Sequence, residues 1–340
     1  TNVAHVDNYD ADYFINYYVV SNLAVLAASV VNQSFTYGML SVSDQQAADS
    51  AFDDYAATYG KLFVSGACNA DISLYVCAPG TAYNSISVGA YQVNVGLANS
   101  SIGPTPDNGR CKPDITAPAG ATSYSTPQVS GAAAVLMQAA LRGDGGGDTN
   151  SASDSRTLKA LLLNGAVKPV DWTNANSSPL DARYGAGVVN VLNSYEQLIA
   201  GKHGLSISTN LSPGAAHPPL VLTNPVSILR GWDFTTNATT ATSDQVGHYF
   251  FNVTNAAGGG VFSATITLVW NRQAGETNIN DLDLFLFNAA SSNHVVWSTS
   301  RVDNVEHIFV HRLPAGRYDV EVLKNGGTNV ASNAETYALA

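Results

Sequence analysis

The sequence has few charged side chains and no long apolar run. Charged residues make up 12% of the 340 residues, and 26 acidic against 15 basic residues give a formal charge of −11. Nucleic-acid binding needs a basic face, so this balance argues against a nucleic-acid partner. No apolar run reaches the length of a membrane-spanning helix, so the sequence indicates no membrane partner either.

Cysteine is also scarce, because the chain contains only Cys68, Cys77 and Cys111. Three thiols allow at most one internal disulfide, and the sequence leaves open which two residues would form it. So few cysteines are compatible with a large secreted enzyme and equally with a reduced cytoplasmic one. Cysteine usage therefore does not set the compartment.

The periodicity of the sequence changes near Gly204. Residues 1–204 alternate strand and helix patterns, which predicts an α/β domain with a parallel sheet covered by helices. Residues 205–340 carry short strand patterns separated by Gly, Asn and Ser turns, which predicts an antiparallel β-sandwich. The predicted helices are 10–23, one from a capping box at Ser43 and Gln46 to Gly60, 158–163 and 188–199. The predicted sandwich strands are 248–254, 262–270, 281–287, 307–310 and 316–323.

The segment from Lys112 to Ala140 carries the strongest functional signal. It has the pattern of a strand, a turn at Gly120 and a long apolar helix, with Ser123 at the start of the helix. Pro127 is expected in the first turn of that helix, where its missing N–H costs little. Unpaired N–H groups at a helix start favour a developing negative charge, so Ser123 is a candidate nucleophile. The alternative is that this serine only caps the helix.

The residues around Ser123 resemble a known family. Thr122 to Gly131 is similar to the nucleophile motif of the subtilases, the subtilisin-like serine proteases, and residues 112–118 resemble the strand before that motif. Three earlier segments follow in the family's order: VVNQSF at 30–35 (the strand edging the substrate cleft), VSGACN at 64–69 (the strand ending in the oxyanion-hole asparagine) and ISVGA at 86–90 (the next core strand). The resemblance implies a subtilisin-like fold and a secreted serine endopeptidase that acts on protein or peptide substrates.

The resemblance also implies roles for individual residues. Ser123 would attack the scissile carbonyl, and Asn69 would bind the resulting oxyanion together with the Ser123 backbone N–H. On its own, Asn69 would be a turn residue at a strand end, and the downstream Ser123 favours the oxyanion role. The expected substrate-binding residues are Ser34, Gly66 and Ala67.

Several positions depart from the family's pattern. They are Ala121 and Cys68 (usually glycine), Tyr124 (usually methionine) and Gln128 (usually histidine). The segment between Pro118 and Ser123 is also shorter than usual, which changes the nearby edge of the substrate site. By the resemblance, Cys68 and Cys77 flank a loop near the primary specificity pocket, where a disulfide would brace it, and Cys111 could pair with either.

The aspartate and histidine of a subtilase triad are not found. None of the seven histidines lies in the family's His-Gly-Thr-His motif; they are His5, His203, His217, His248, His294, His307 and His311. His5 and Asp7 would share one face of a predicted strand. The spacing from that strand to Asn32 leaves room for only one helix, which by the resemblance matches the family's strand after the histidine helix. An ordinary strand-end pair is therefore preferred over a catalytic pair for His5 and Asp7.

Three explanations of this gap are open. The first is that the chain is the C-terminal part of a longer protease, completed by a missing N-terminal segment or chain; the opening residues Thr1 to Val3, inside a predicted core strand, favour this explanation. The second is a catalytically dead scaffold that acts as a binding module. The third is a serine activated by an unfamiliar partner.

Segments of the second half resemble the C-terminal jelly-roll domain of certain alkaline subtilases. These segments are 268–270 (LVW), 280–284 (NDLDL), 303–306 (DNVE) and 313–318 (LPAGRY). That domain binds calcium in some relatives, so structural calcium is a possible cofactor. Asp281 and Asp283 would lie on one face of a strand with leucines on the other, and their carboxylates could join an oxygen-ligand site. The alternative is a solvated strand face.

Overall fold

A five-stranded sheet forms the centre of the first half of the protein. The computed structural model describes residues 5–221, 229–238, 242–254, 262–327 and 330–340. The strands are β1 (Val30–Gln33), β2 (Leu62–Gly66), β3 (Ser85–Gln92), β4 (Gly96–Leu97) and β5 (Ile115–Pro118). β1, β2, β3 and β5 pair in parallel in that order, and β4 forms a short antiparallel hairpin with β3. The parallel pairing confirms the predicted α/β class.

Helices connect and cover these strands. They are α1 (Ala11–Tyr13), which continues as a π-helix (Phe14–Ser21), α2 (Val42–Tyr59), α3 (Thr122–Leu141), α4 (Thr149–Ala152), α5 (Ser155–Asn164) and α6 (Val191–Ile199). α3 packs on the central strands through Val129, Ala133 and Leu136, which are completely buried. Among the described residues, no helix combines the length and apolar character needed to cross a membrane.

Two details of the predicted helices are wrong. The cap of α2 is Ser41 rather than Ser43, because the Ser41 hydroxyl accepts the Asp44 N–H at 3.2 Å while Ser43 already lies inside the helix. Pro127 lies in the second turn of α3 rather than the first, since the helix begins at Thr122. Its missing N–H leaves the Ser123 carbonyl without the usual helical partner. The predicted end of α2 at Gly60 is confirmed by a left-handed φ of 62°.

The predicted strand at the start of the chain is also wrong over its described part. His5 and Asp7 are exposed and lie outside any strand, and their side chains contact each other at 2.7 Å. Residues 1–4, which carry the rest of that prediction, lie outside the described residues.

Two antiparallel sheets form the second half. Their strands are β6 (Ile207–Leu211), β7 (Asp233–Ala238), β8 (Asp244–Val253), β9 (Phe262–Trp270), β10 (Leu282–Asn288), β11 (Asn293–Ser298), β12 (Val305–Leu313), β13 (Gly316–Lys324) and β14 (Ala334–Leu339). One sheet has the order β11-β10-β13-β8-β6 and the other β12-β9-β14-β7. Buried residues such as Leu268, Leu284 and Val322 fill one core between them, so the predicted sandwich is confirmed.

Buried polar contacts join the two halves. The Arg272 backbone N–H donates to Asn84 Oδ1 at 2.9 Å, and Asn84 Nδ2 donates back to the Arg272 carbonyl at 2.9 Å. The Arg272 guanidinium also donates to the buried Asp53 carboxylate of α2 at 3.1 Å. Cys111 N–H donates to Asp303 Oδ1 at 2.7 Å. Because buried donors and acceptors are costly to leave unpaired, these contacts fix one half against the other.

Glu335 on β14 gives the fold a pH dependence. Its side chain is buried, and desolvation raises its pKa to about 7, although the Asn280 and Gln273 amides donate to it. An unfolded glutamate has a pKa near 4.3, so the native state holds the extra proton and loses stability as the pH rises. We expect Glu335→Gln to stabilise the protein by roughly 2–4 kcal/mol at pH 8 and by much less at pH 5. Urea denaturation of both proteins at the two pH values measures this; the same pH dependence in both would contradict it.

Candidate active site

Ser123 lies at the carboxyl end of β5, in the first turn of α3. The helix begins at Thr122, one residue after the extended Ala121, so the Ser123 N–H is one of the unpaired donors of the helix start. Ser123 and Tyr124 are exposed, whereas Thr122 and Ser125 on either side of them are buried. The predicted position of the serine at an accessible helix start is therefore confirmed.

Asn69 lies next to this helix start. Its Oδ1 accepts two hydrogen bonds from Thr122, one from the backbone N–H at 3.0 Å and one from the hydroxyl at 2.8 Å. A backbone N–H can only donate, so the carboxamide oxygen must face Thr122. The Nδ2 group is then left to donate to another acceptor. Sequence reasoning found Asn69 but missed Thr122 as the residue that orients it, although Thr122 directly precedes the candidate nucleophile.

The backbone after β2 gives Asn69 this position. Cys68 has a φ of 84°, in the left-handed region that non-glycine residues seldom adopt. The Asn69 carbonyl then accepts the N–H groups of Ile72 and Ser73 at 2.9 and 3.0 Å. The residue is therefore a turn residue through its backbone, while its side-chain oxygen accepts hydrogen bonds from Thr122.

The other predicted cleft residues follow the ends of neighbouring parallel strands. Ser34, after β1, is exposed and accepts a hydrogen bond from Asn32 Nδ2 at 3.1 Å. Asn32 Oδ1 in turn accepts the hydroxyl of Ser130 on α3 at 2.9 Å. Gly66 ends β2 and Ala67 follows it, and both are buried. Sites in α/β sheets form at the carboxyl ends of the strands, and these residues lie there.

Gly66 allows α3 to approach the sheet closely. A Cβ atom on Gly66 would lie 3.2 Å from the Thr126 hydroxyl and 3.5 Å from the Thr122 hydroxyl. The first distance is tight and the second is ordinary contact, so a side chain at this position would press on α3 at Thr126. The glycine thus helps to set the distance between β2 and the helix that carries Ser123.

All three thiols are buried, and none is in a disulfide in this structure. Cys68 and Cys77 are close enough to interact: a hydrogen bond with Cys77 lowers the pKa of Cys68 to about 6, and the same bond raises the pKa of Cys77. Cys111 has a different partner, because its backbone N–H donates to Asp303 of the sandwich. Burial raises the pKa of its thiol.

The histidine side chains of the described residues contact other parts of the protein. Their partners are Asp7 (for His5), the Ala200 carbonyl (His203), Glu321 (His217), Asp319 (His248), Phe287 (His294), Thr267 (His307) and Phe309 (His311). None of these contacts involves Ser123. In this part of the chain the structure therefore brings Asn69 next to the helix start that carries Ser123, and each histidine contacts residues elsewhere.

The predicted calcium ligands Asp281 and Asp283 lie at the start of β10. Leu282, Leu284 and Leu286 are completely buried on the opposite face, as the alternation predicts. Desolvation, with a further contribution from the Asp281 charge, raises the pKa of Asp283 to about 7. Asp281 Oδ1 is buried without a hydrogen-bond partner among the described residues, which fits a cation ligand, whereas the nearby Arg301 opposes a cation.

One family model and several solved structures match part of this chain. The model of the subtilase family matches residues 14–187, a range that contains both Asn69 and Ser123. The patellamide maturation protease PatA is similar in structure, with 23% sequence identity over 52% of this chain and 65% of that chain and a TM-score of 0.39. The PatG macrocyclase in complex with peptide has 18% sequence identity over 52% of this chain and 53% of that chain, with a TM-score of 0.40. A protease from Pseudoalteromonas arctica PAMC 21717 has 18% sequence identity over 53% of this chain and 54% of that chain, with a TM-score of 0.35.

The chain thus spans between about half and two thirds of the length of these solved structures. No curated protein sequence matches it significantly.

Proposed function

Because the chain belongs to the subtilase family, we propose that it forms the nucleophile and oxyanion part of a serine endopeptidase site that hydrolyses peptide bonds through an acyl-enzyme on Ser123. The observation that supports this proposal is that Asn69 Oδ1 accepts the N–H and the hydroxyl of Thr122, which leaves Asn69 Nδ2 as a donor next to the helix start that carries the exposed Ser123.

The chemistry follows from this arrangement. Ser123 Oγ attacks the carbonyl carbon of the substrate, and its proton passes to a general base. The carbonyl oxygen becomes an oxyanion, which accepts hydrogen bonds from Asn69 Nδ2 and from the Ser123 backbone N–H. Collapse of this intermediate expels the amine, which takes the proton from the base, and leaves an ester on Ser123. Water, deprotonated by the same base, then hydrolyses the ester.

We place the general base, a histidine, and its aspartate partner outside this sequence, on a preceding segment or on a separate chain. The contacts of the described histidines with other parts of the protein support this. Without the histidine, a triad enzyme retains only the residual rate that the oxyanion hole and substrate binding provide. The chain by itself is therefore expected to be inactive.

We further propose that the sandwich is a jelly roll and that the complete protein is secreted. The eight strands β7 to β14 divide between the two sheets in the orders β12-β9-β14-β7 and β11-β10-β13-β8, an arrangement that two nested Greek keys produce. Secretion is proposed because subtilases are typically secreted. The boundary between the two domains is proposed near residue 204, where the sequence pattern changes from alternating strands and helices to short strands. Asp281 and Asp283 remain the proposed ligands of a structural calcium ion.

Labelling with a fluorophosphonate tests the proposed function, since this reagent modifies a serine only when a base activates it. We expect no labelling of the chain alone and labelling of a protein extended by, or co-expressed with, a subtilase segment that supplies the aspartate and histidine. Ser123→Ala in the extended protein is the matched control and should abolish labelling. An extended, folded protein that stays unlabelled would instead favour a catalytically dead scaffold. Labelling of the chain alone would show that Ser123 has an unfamiliar base.

A further inference from the structure

A cluster of two histidines and two carboxylates lies in the sandwich, on two strands and a covering segment that carry none of the active-site residues. His248 lies on β8, and Asp319 and Glu321 lie on β13. Glu321 is the direct cross-strand partner of His248. Asp319 and Glu321 are two residues apart, so their side chains share one face of the strand with His248.

This face points away from the core between the two sheets, yet the cluster is closed to solvent. His248, Asp319 and Glu321 have relative exposures of 1%, 0% and 0%. The segment after β6 covers them: the Leu220 N–H donates to Asp319 Oδ2 at 3.2 Å, and His217 Nδ1 lies 2.7 Å from Glu321 Oε2. His217 also packs edge-on against Phe285. Such burial of two carboxylates is costly without compensating positive charge.

The polar atoms of the cluster converge on one point. His248 Nδ1 lies 2.9 Å from Asp319 Oδ2 and 3.7 Å from Glu321 Oε1. One ligand atom from each of the three residues lies within 4.8 Å of the others. Asp319 Oδ1 and Glu321 Oε1 are buried and have no hydrogen-bond partner among the described residues. The cluster therefore contains two buried carboxylate oxygens that could each accept a bond from a ligand.

From this convergence we propose that His248, Asp319 and Glu321 bind a divalent transition-metal ion, with zinc as the best match. Zinc takes imidazole nitrogen and carboxylate oxygen at about 2.0–2.2 Å, so its tetrahedral ligand atoms lie roughly 3.3–3.6 Å apart. The observed separations run from 2.9 Å to at most 4.8 Å, so binding needs ligand atoms to shift by up to about 1.5 Å. The imidazole ligand disfavours calcium and magnesium, which prefer oxygen ligands only.

The neighbouring residues complete such a site. The Nε2 of His248 lies 3.2 Å from the Thr209 hydroxyl, and an N–H on Nε2 that donates to this hydroxyl leaves the lone pair on Nδ1 for the metal. His217 holds the outer oxygen of Glu321 and so fixes the direction of its inner oxygen. The ion would fasten β8 to β13, with the covering segment held to it through His217 and Glu321, which gives the ion a structural role.

Metal titration of the whole chain, freed of metal with a chelator, tests the proposal. We expect one equivalent of Zn²⁺ or Co²⁺ to bind, and at 100 times the dissociation constant to raise the melting temperature by about 4 °C. Bound Co²⁺ should show the visible absorption of a low-symmetry nitrogen and oxygen site. Absence of saturable binding of either ion would overturn the proposal, as would the charge-transfer band of a cysteine thiolate ligand.

Substitutions locate the ion. His248→Gln and Glu321→Gln should abolish the cobalt spectrum, and His217→Gln should weaken binding by roughly 10–100-fold because it only orients a ligand. His217 lies on the covering segment rather than on a strand, so this variant keeps the test open if the strand variants fail to fold. His311→Gln, which changes an exposed histidine of β12, should bind like the unaltered protein. Unchanged affinity in both His217→Gln and His248→Gln would refute the site.

Discussion

Replacing Asn69 by alanine is expected to lower the kcat of the completed protease by about 10²–10³-fold and to change KM little. The magnitude is the one known for the oxyanion-hole asparagine of subtilisin. The physical reason is that, in the proposed role, the Asn69 amide would donate to a charge that exists only in the transition state. Steady-state kinetics on a peptide substrate, with the extended protein described above, measures both constants.

Two further variants separate donation from positioning. Asn69→Asp keeps the oxygen that accepts from Thr122 at 3.0 and 2.8 Å but removes the amide donor, so it should be at least as inactive as Asn69→Ala. Thr122→Ala removes only one of these two bonds and should cost less. If Asn69→Asp retained nearly full activity, the residue would act by holding α3 in place. A kcat within tenfold of normal for Asn69→Ala would exclude the oxyanion role.

Asp114→Asn is expected to destabilise the protein by about 3–5 kcal/mol at pH 7, because it leaves buried charges without a partner. Asp114 is buried between β3 and β5 and lies 2.7 Å from Lys112 Nζ and 3.2 Å from Lys159 Nζ. It also accepts the Ser87 N–H at 2.7 Å. Burial alone would raise its pKa, but the two ammonium groups hold the pKa below its usual value.

The pH dependence of this loss of stability tests its mechanism. Desolvation already lowers the pKa of Lys159 to about 8, and without Asp114 it should fall further. A lysine with a depressed native pKa contributes stability that increases as the pH rises, so the deficit of Asp114→Asn should shrink between pH 7 and pH 9. Urea denaturation at both values measures it.

The control is Glu196→Gln, which breaks the exposed ion pair of Glu196 with Arg230. Exposed pairs contribute at most about 1 kcal/mol, so this variant should unfold nearly as the unaltered protein does. A loss for Asp114→Asn no larger than that of the control would show that the buried pair is dispensable.

Local patterns made part of the site predictable. The strand, turn and apolar helix around Ser123 are contiguous in the chain. That pattern alone predicts that the body of the helix is buried while its first turn is exposed. Asn69 was found because it follows a strand that resembles a known one. Its partner Thr122 is 53 residues away, and no local pattern indicates which side-chain atom contacts which.

The missed features depend on contacts between distant segments. β11 is largely exposed and β6 lies at the sheet edge, so neither has the buried alternation that marks a strand in sequence. The metal candidate joins His217 and Glu321 across 104 residues, and only the pairing of β8 with β13 brings His248 to them. Histidines and carboxylates this far apart carry no spacing signal.

The contact of Arg272 with α2 has a consequence for handling the protein. Arg272 comes from the sandwich, and α2 links the two strands whose ends bear Ser34 and Asn69. A cut in the peptide chain near residue 204 would leave Asp53 buried against an arginine on the other piece. Limited proteolysis there should therefore yield two pieces that co-elute under native conditions, and the first half expressed alone should be poorly soluble.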